Sequence, residues 1–114
     1  MELTENNKRI HPRIPLKNAL HWKVRGKATF DNCLTENVSL GGLGFNADTY
    51  MAPQTILMME FKLLSHMCNP VGRIAWVNPI AHANRYHYGI EFIESNATQQ
   101  ENLKQFISMQ LEKK

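Results

Sequence analysis

Two short groups of residues hold most of the chemistry this chain offers. Near the N-terminus, Arg9-Ile10-His11-Pro12-Arg13 sets two guanidinium groups at Arg-x-x-x-Arg spacing. Further on, Asn37-Val38-Ser39-Leu40-Gly41-Gly42 reads Asn-x-Ser-x-x-Gly. A guanidinium grips phosphate oxygens with two parallel hydrogen bonds, which the point charge of a lysine cannot do. The Asn37 amide both accepts and donates, and Ser39 adds a small hydroxyl. Gly42 lacks a Cβ, so backbone there approaches another group closely or adopts positive φ. Each motif alone is common. The first also reads as a solvated basic leader, and the second as a strand-to-strand turn with no ligand.

Other reactive residues form no comparable group. Cys33 and Cys68 stand far apart with no Cys-x-x-Cys pair, so no zinc centre is expected. His82 and His87 straddle a loop and a strand and lack a third ligand, so no metal site is assigned. His11 sits inside the first motif with no fixed role. The chain has no Gly-x-Ser-x-Gly, no Cys–His signature and no paired-acid motif, so it is not read as an enzyme.

These residues need a scaffold, and the bulk numbers bound it. The chain has 114 residues, 43% hydrophobic, with a formal net charge of +3. That length suits one domain able to bury a core. The mild basic balance suits an anionic ligand but does not by itself argue for nucleic acid. The first residues, Met1-Glu2-Leu3-Thr4-Glu5, have no apolar core and do not read as a signal peptide. No apolar run approaches the ~20 residues needed to span a bilayer. A cytoplasmic, reduced protein without membrane insertion is the expectation.

Residues 1–17 are polar and contain Pro12 and Pro15, so they read as a flexible leader carrying the arginine pair. Residues 18–114 read as the folded domain. Leu20, Trp22 and Val24 alternate with His21 and Lys23 in a first strand. A second strand is expected from Ala28 to Val38, with a bulge near Asp31-Asn32-Cys33. Leu43, Phe45 and Ala47 mark a third. Ile56 to Leu64 gives a fourth, with Leu57, Met59, Phe61 and Leu63 on one face. Ser65 to Pro70 reads as a loop. Val71 to Val77 gives a fifth strand, and Tyr86, Tyr88, Ile90 and Phe92 a sixth. From about 96 to 113 the period becomes helical, through Leu103, Phe106, Ile107 and Leu111, with Thr98 and Glu101 as a capping box. Six short strands and a terminal helix predict a small all-β antiparallel barrel or sandwich, the helix covering an end or side.

The two motifs, in this order and in these contexts, resemble the PilZ domain. Gly41-Gly42-Leu43-Gly44-Phe45 continues the second motif as that family does, and Tyr88-Gly89-Ile90-Glu91-Phe92 resembles its closing strand. The resemblance runs from about Lys8 to the terminal helix. It implies a six-stranded antiparallel PilZ-type β-barrel with a C-terminal α-helix. It also implies a receptor for the second messenger cyclic di-GMP, with no further cofactor, that changes conformation and signals to a protein effector. The ligand-binding residues it implies are Arg9, Arg13, Asn37, Ser39 and Gly42, with Lys8, Gly41 and Trp76 as further candidates. Arginine also suits guanine, by donating to O6 and N7 or by stacking. The family allows Asp or Asn at the first position of the second motif, and Asn37 leaves one charge-assisted bond fewer. Lys8, just before the arginine motif, occupies the position implied to influence whether one or two ligands bind, and two are expected. Trp76 has a competing reading as barrel packing. Two other functions remain open: a small basic barrel binding single-stranded nucleic acid, which lacks an evident series of exposed aromatics, and a PilZ scaffold acting only through protein contacts.

Overall fold

The computed structural model describes residues 13–112. The strands are β1 (Ile14–Pro15), β2 (Ala19–Val24), β3 (Asp31–Val38), β4 (Gly42–Ala47), β5 (Ile56–Leu63), β6 (His66–Cys68), β7 (Val71–Pro79) and β8 (Tyr86–Glu94). A helix, α1 (Ala97–Glu112), follows. Six strands close an antiparallel barrel in the order β3-β2-β5-β7-β8-β4, with β4 pairing back onto β3. The short β1 runs beside the second half of β3, and β6 folds back on β5 as a hairpin. Closure leaves the six main strands without a continuous open edge.

Alternation fills the barrel. Leu57, Met59, Phe61 and Leu63 all point inward and are buried, as the sequence predicts for this strand. They meet Leu20, Leu43, Ile74 and Ile90. Trp22 stacks on Phe45 at 5.7 Å between ring centroids, and Phe45 meets Tyr88 at 5.5 Å. Each such side chain removed from water contributes about 1.5–3 kcal/mol. The helix adds Leu103, Phe106 and Ile107 to the same core. The apolar stripe expected to reach Leu111 stops short: Met109 and Leu111 are exposed.

Several boundaries differ from the sequence expectations for physical reasons. Ile14 and Pro15, inside the stretch read as leader, form β1 because Ile14 is apolar and buries into the core. The second strand begins at Asp31 rather than Ala28, since β2 pairs with it only as far as Trp22 opposite Asp31. Ser65–Pro70 is not simply a loop. Leu64 and Ser65 adopt positive φ, of 51° and 69°, and turn the chain tightly into β6. The helix cap is Asn96 rather than Thr98. Its Oδ1 accepts from the Gln99 backbone N–H at 2.8 Å, and Thr98 lies within the helix. The bulge falls between Thr35 and Asn37, not at Asp31–Cys33.

Candidate functional site

The displaced bulge shapes the site. Thr35 and Val38 both face the core and are fully buried. Thr35 is tolerated there because its hydroxyl donates to the Leu16 carbonyl at 2.5 Å and accepts from the Asn18 N–H at 3.0 Å. With two inward residues three apart, the extra residue between them puts both Glu36 and Asn37 on the outer wall. Asn37 then stands opposite Gly44, Gly44 opposite Gly89, and Gly89 opposite Trp76. One row of outward positions therefore crosses β3, β4, β8 and β7.

The two glycines of that row make room for their neighbours. A Cβ on Gly44 would stand 3.1 Å from Asn37 Oδ1, so the amide lies against β4. A Cβ on Gly89 would come within 2.2 Å of Trp76 Cε2, so the half-buried indole lies on the β8 backbone. Trp76 is thus part of the outer wall and not of the barrel interior. Glycine inside a strand signals such close approach.

The first motif reaches the same place. Arg13 Nη1 donates to Asn37 Oδ1 at 2.5 Å. The pairing of Ile14 with Val38 and Pro15 with Asn37 sets that contact up. Arg9 and Lys8 lie outside the described residues, as does His11. Ser39, Gly41 and Gly42 form the turn that follows Asn37. The Ser39 N–H donates to the Gly42 carbonyl at 2.8 Å, and its buried hydroxyl accepts from the Gly41 N–H at 3.2 Å. The Gly41 carbonyl in turn accepts from the Phe92 N–H at 2.8 Å. A Cβ on Gly42 would meet the Ile90 carbonyl oxygen at 1.8 Å. In this geometry Ser39 and Gly42 fasten the turn, while Arg13 and Asn37 present polar atoms to the outer wall.

Further polar residues flank the row. On one side Lys17 pairs with Glu36 at 2.8 Å, and Asn46 Nδ2 donates to Glu36 at 3.5 Å. Asn46 Oδ1 meets His87 Nδ1 at 2.5 Å, and the His87 ring lies 5.1 Å from that of Trp76. On the other side Arg73 pairs with Glu91 at 3.0 Å. Sequence reasoning passed over Gly44, Asn46, His87 and Gly89 as site residues. Their signal was the alternation itself: each stands at an outward position of a strand whose inward positions are apolar.

Below the bulge, β3 and β4 part. A cleft of about 510 Å³ opens there, lined by Trp22, Cys33, Asn46 and Arg85 among others. Burial pushes the Cys33 thiol up to about 11, against the lowering influence of Trp22 and Arg85. A thiol held protonated is a poor nucleophile at neutral pH. Burial also raises the Tyr88 phenol, whose hydroxyl donates to the Thr49 carbonyl and accepts from the Met51 N–H. Among the described residues no cluster of His, Cys, Asp and Glu is placed to hold a metal, and no helix is long and apolar enough to cross a membrane.

A closed antiparallel barrel bearing an arginine, an amide and an indole on its outer wall defines a small β-barrel module with a surface polar site. The PilZ domain pattern matches residues 7–108, and the chain belongs to that family. The inhibitor of motility MotI/DgrA of Bacillus subtilis superposes with a TM-score of 0.76 at 16% identity, over 93% of this chain and 53% of that one. The PilZ domain of YcgR from Escherichia coli, solved with c-di-GMP, gives 0.71 at 11% identity, over 93% of each chain. MrkH of K. pneumonia in complex with c-di-GMP gives 0.74 at 12%, over 92% of this chain and 52% of that one. The chain thus spans about half the length of MotI and of MrkH. No curated protein matches it in sequence.

Proposed function

We propose that this chain is a cyclic di-GMP receptor rather than an enzyme, and that it passes its bound state to a protein effector. The observation that carries the reading is the contact between Arg13 and Asn37, which joins the two motifs on one face. Structures of YcgR and MrkH with c-di-GMP support the choice of ligand. On this reading Arg13 exchanges its amide partner for a ligand phosphate or guanine edge, with two parallel bonds available. Arg9 supplies a second guanidinium. Asn37, released from Arg13, accepts from a guanine N–H. Trp76 offers its face to a base, and base–aromatic stacking is worth about 1–3 kcal/mol. Ser39, Gly41 and Gly42 hold the turn that aims Asn37. Lys8 meets the further phosphates of a second ligand.

The conformational signal lies in the leader. Residues 14–16 are already tied to the barrel, through β1 and the Leu16 N–H to Glu36 carbonyl bond of 3.0 Å. On this reading ligand contacts hold the segment from Lys8 to Arg13 against the outer wall, and fixing backbone costs about 1–2 kcal/mol per residue, so only a short segment can answer to a few charged contacts. Calorimetric titration with cyclic di-GMP, on the native chain and on Arg13→Ala, tests the reading. Saturable binding weakened at least tenfold by the substitution is expected. Equal affinity in a folded variant refutes it.

A further inference from the structure

We infer that His87 is a specificity-determining residue that reads the hydrogen-bonding edge of a guanine stacked on Trp76. The inference rests on the cyclic di-GMP reading and adds to it the way one base is told from another.

Lys17 sets the orientation of the polar chain that reaches His87. Its ammonium holds Glu36 at 2.8 Å, and an ionised carboxylate only accepts hydrogen bonds. Asn46 must therefore turn its NH2 group to Glu36, and the two stand 3.5 Å apart. That leaves Asn46 Oδ1, an acceptor, facing His87 Nδ1 at 2.5 Å. His87 Nδ1 consequently carries the proton and donates. In the neutral ring the other nitrogen, Nε2, is then a bare acceptor. Among the described residues nothing donates to it.

The ring's position gives that acceptor a use. His87 points outward from β8, one rung from Gly89, and is only half-buried. Its centroid lies 5.1 Å from the Trp76 ring, the planes inclined at 44°. A base lying on Trp76 would therefore bring its edge to the imidazole. Guanine presents N1–H and N2–H donors on its Watson–Crick edge, and Nε2 accepts from one of them. Adenine presents a bare N1 at the same place, which opposes the Nε2 lone pair. Lys17, Glu36 and Asn46 act as positioning residues that fix the tautomer.

The test compares cyclic di-GMP with cyclic di-AMP by calorimetry, on the native protein and on His87→Ala. One neutral hydrogen bond lost corresponds to about a fivefold change in affinity. His87→Ala should weaken cyclic di-GMP about fivefold and leave cyclic di-AMP unchanged or slightly tighter. A purely structural role would weaken both alike, and that result, or no change in either, overturns the inference while leaving the receptor reading intact. Failure of the native protein to bind cyclic di-GMP overturns both. A second readout uses the native protein alone. Long-range nitrogen–proton NMR should show Nε2 of His87 unprotonated in the free protein and shifted when cyclic di-GMP is added. An Nε2–H tautomer, or a signal that ignores the ligand, also overturns it.

Discussion

The two faces of β8 have opposite characters. Inward, Tyr88 and Ile90 are buried among Phe45, Leu43 and Ile74. Outward, His87, Gly89 and Glu91 form a sparse polar wall whose central residue has no side chain at all. Close packing fixes the inner face, where volume matters and hydrophobic swaps are broadly tolerated. The outer face depends on absent atoms and on hydrogen-bond direction. Glycine at 44 and 89 is what lets an amide lie against β4 and an indole against β8. The same strand therefore stabilises the barrel on one side and shapes the proposed recognition surface on the other.

Substitutions should separate these roles, and the largest effect is expected where the faces meet. Gly42→Ala forces a Cβ against the Ile90 carbonyl oxygen, a backbone atom that cannot swing aside. Denaturant unfolding should show a loss of about 3 kcal/mol. Stability within error of the native chain would mean the motif glycine serves the ligand and not the strand pairing. At Gly89 the obstructing atoms belong to the half-buried Trp76 ring, which can move. Gly89→Ala should cost about 1 kcal/mol of stability while changing Trp76 fluorescence and weakening cyclic di-GMP. Unaltered emission and affinity would separate Trp76 from the site.

Asn37→Ala should weaken the ligand about fivefold, the worth of one hydrogen bond. Asn37→Asp should bind at least as well as the native chain, since an ionised acceptor makes the stronger bond. A large loss in the Asp variant, measured by the same titration, would show ligand phosphates rather than a base N–H beside residue 37. The smallest effect is expected at the outer rim. Glu91 is exposed and Arg73 is partly so, so Arg73→Ala should change stability by no more than about 0.5 kcal/mol in thermal unfolding.

The inner face was legible in the sequence because burial imposes a period of two, as Leu57 to Leu63 shows. The barrel and helix follow from that period and its change after Ser95. The outer face was legible only in part. Motif spacing pointed to Arg13 and Asn37, but their direct contact depends on β1, a two-residue strand. The bulge escaped because Thr35 is polar yet buried, its hydroxyl satisfied by Leu16 and Asn18. Without that knowledge the phase of Glu36 and Asn37 cannot be assigned. The Gly44–Gly89–Trp76 row depends on register across three strands, which no local pattern encodes.

Amide hydrogen exchange with and without cyclic di-GMP tests most directly whether one ligand joins the two motifs. Protection should rise from Lys8 to Arg13 and around Asn37 to Gly42, with β1 already protected in the free protein and the inner face of β8 unchanged. A rise confined to one motif, or none in either at saturating ligand, would contradict the account.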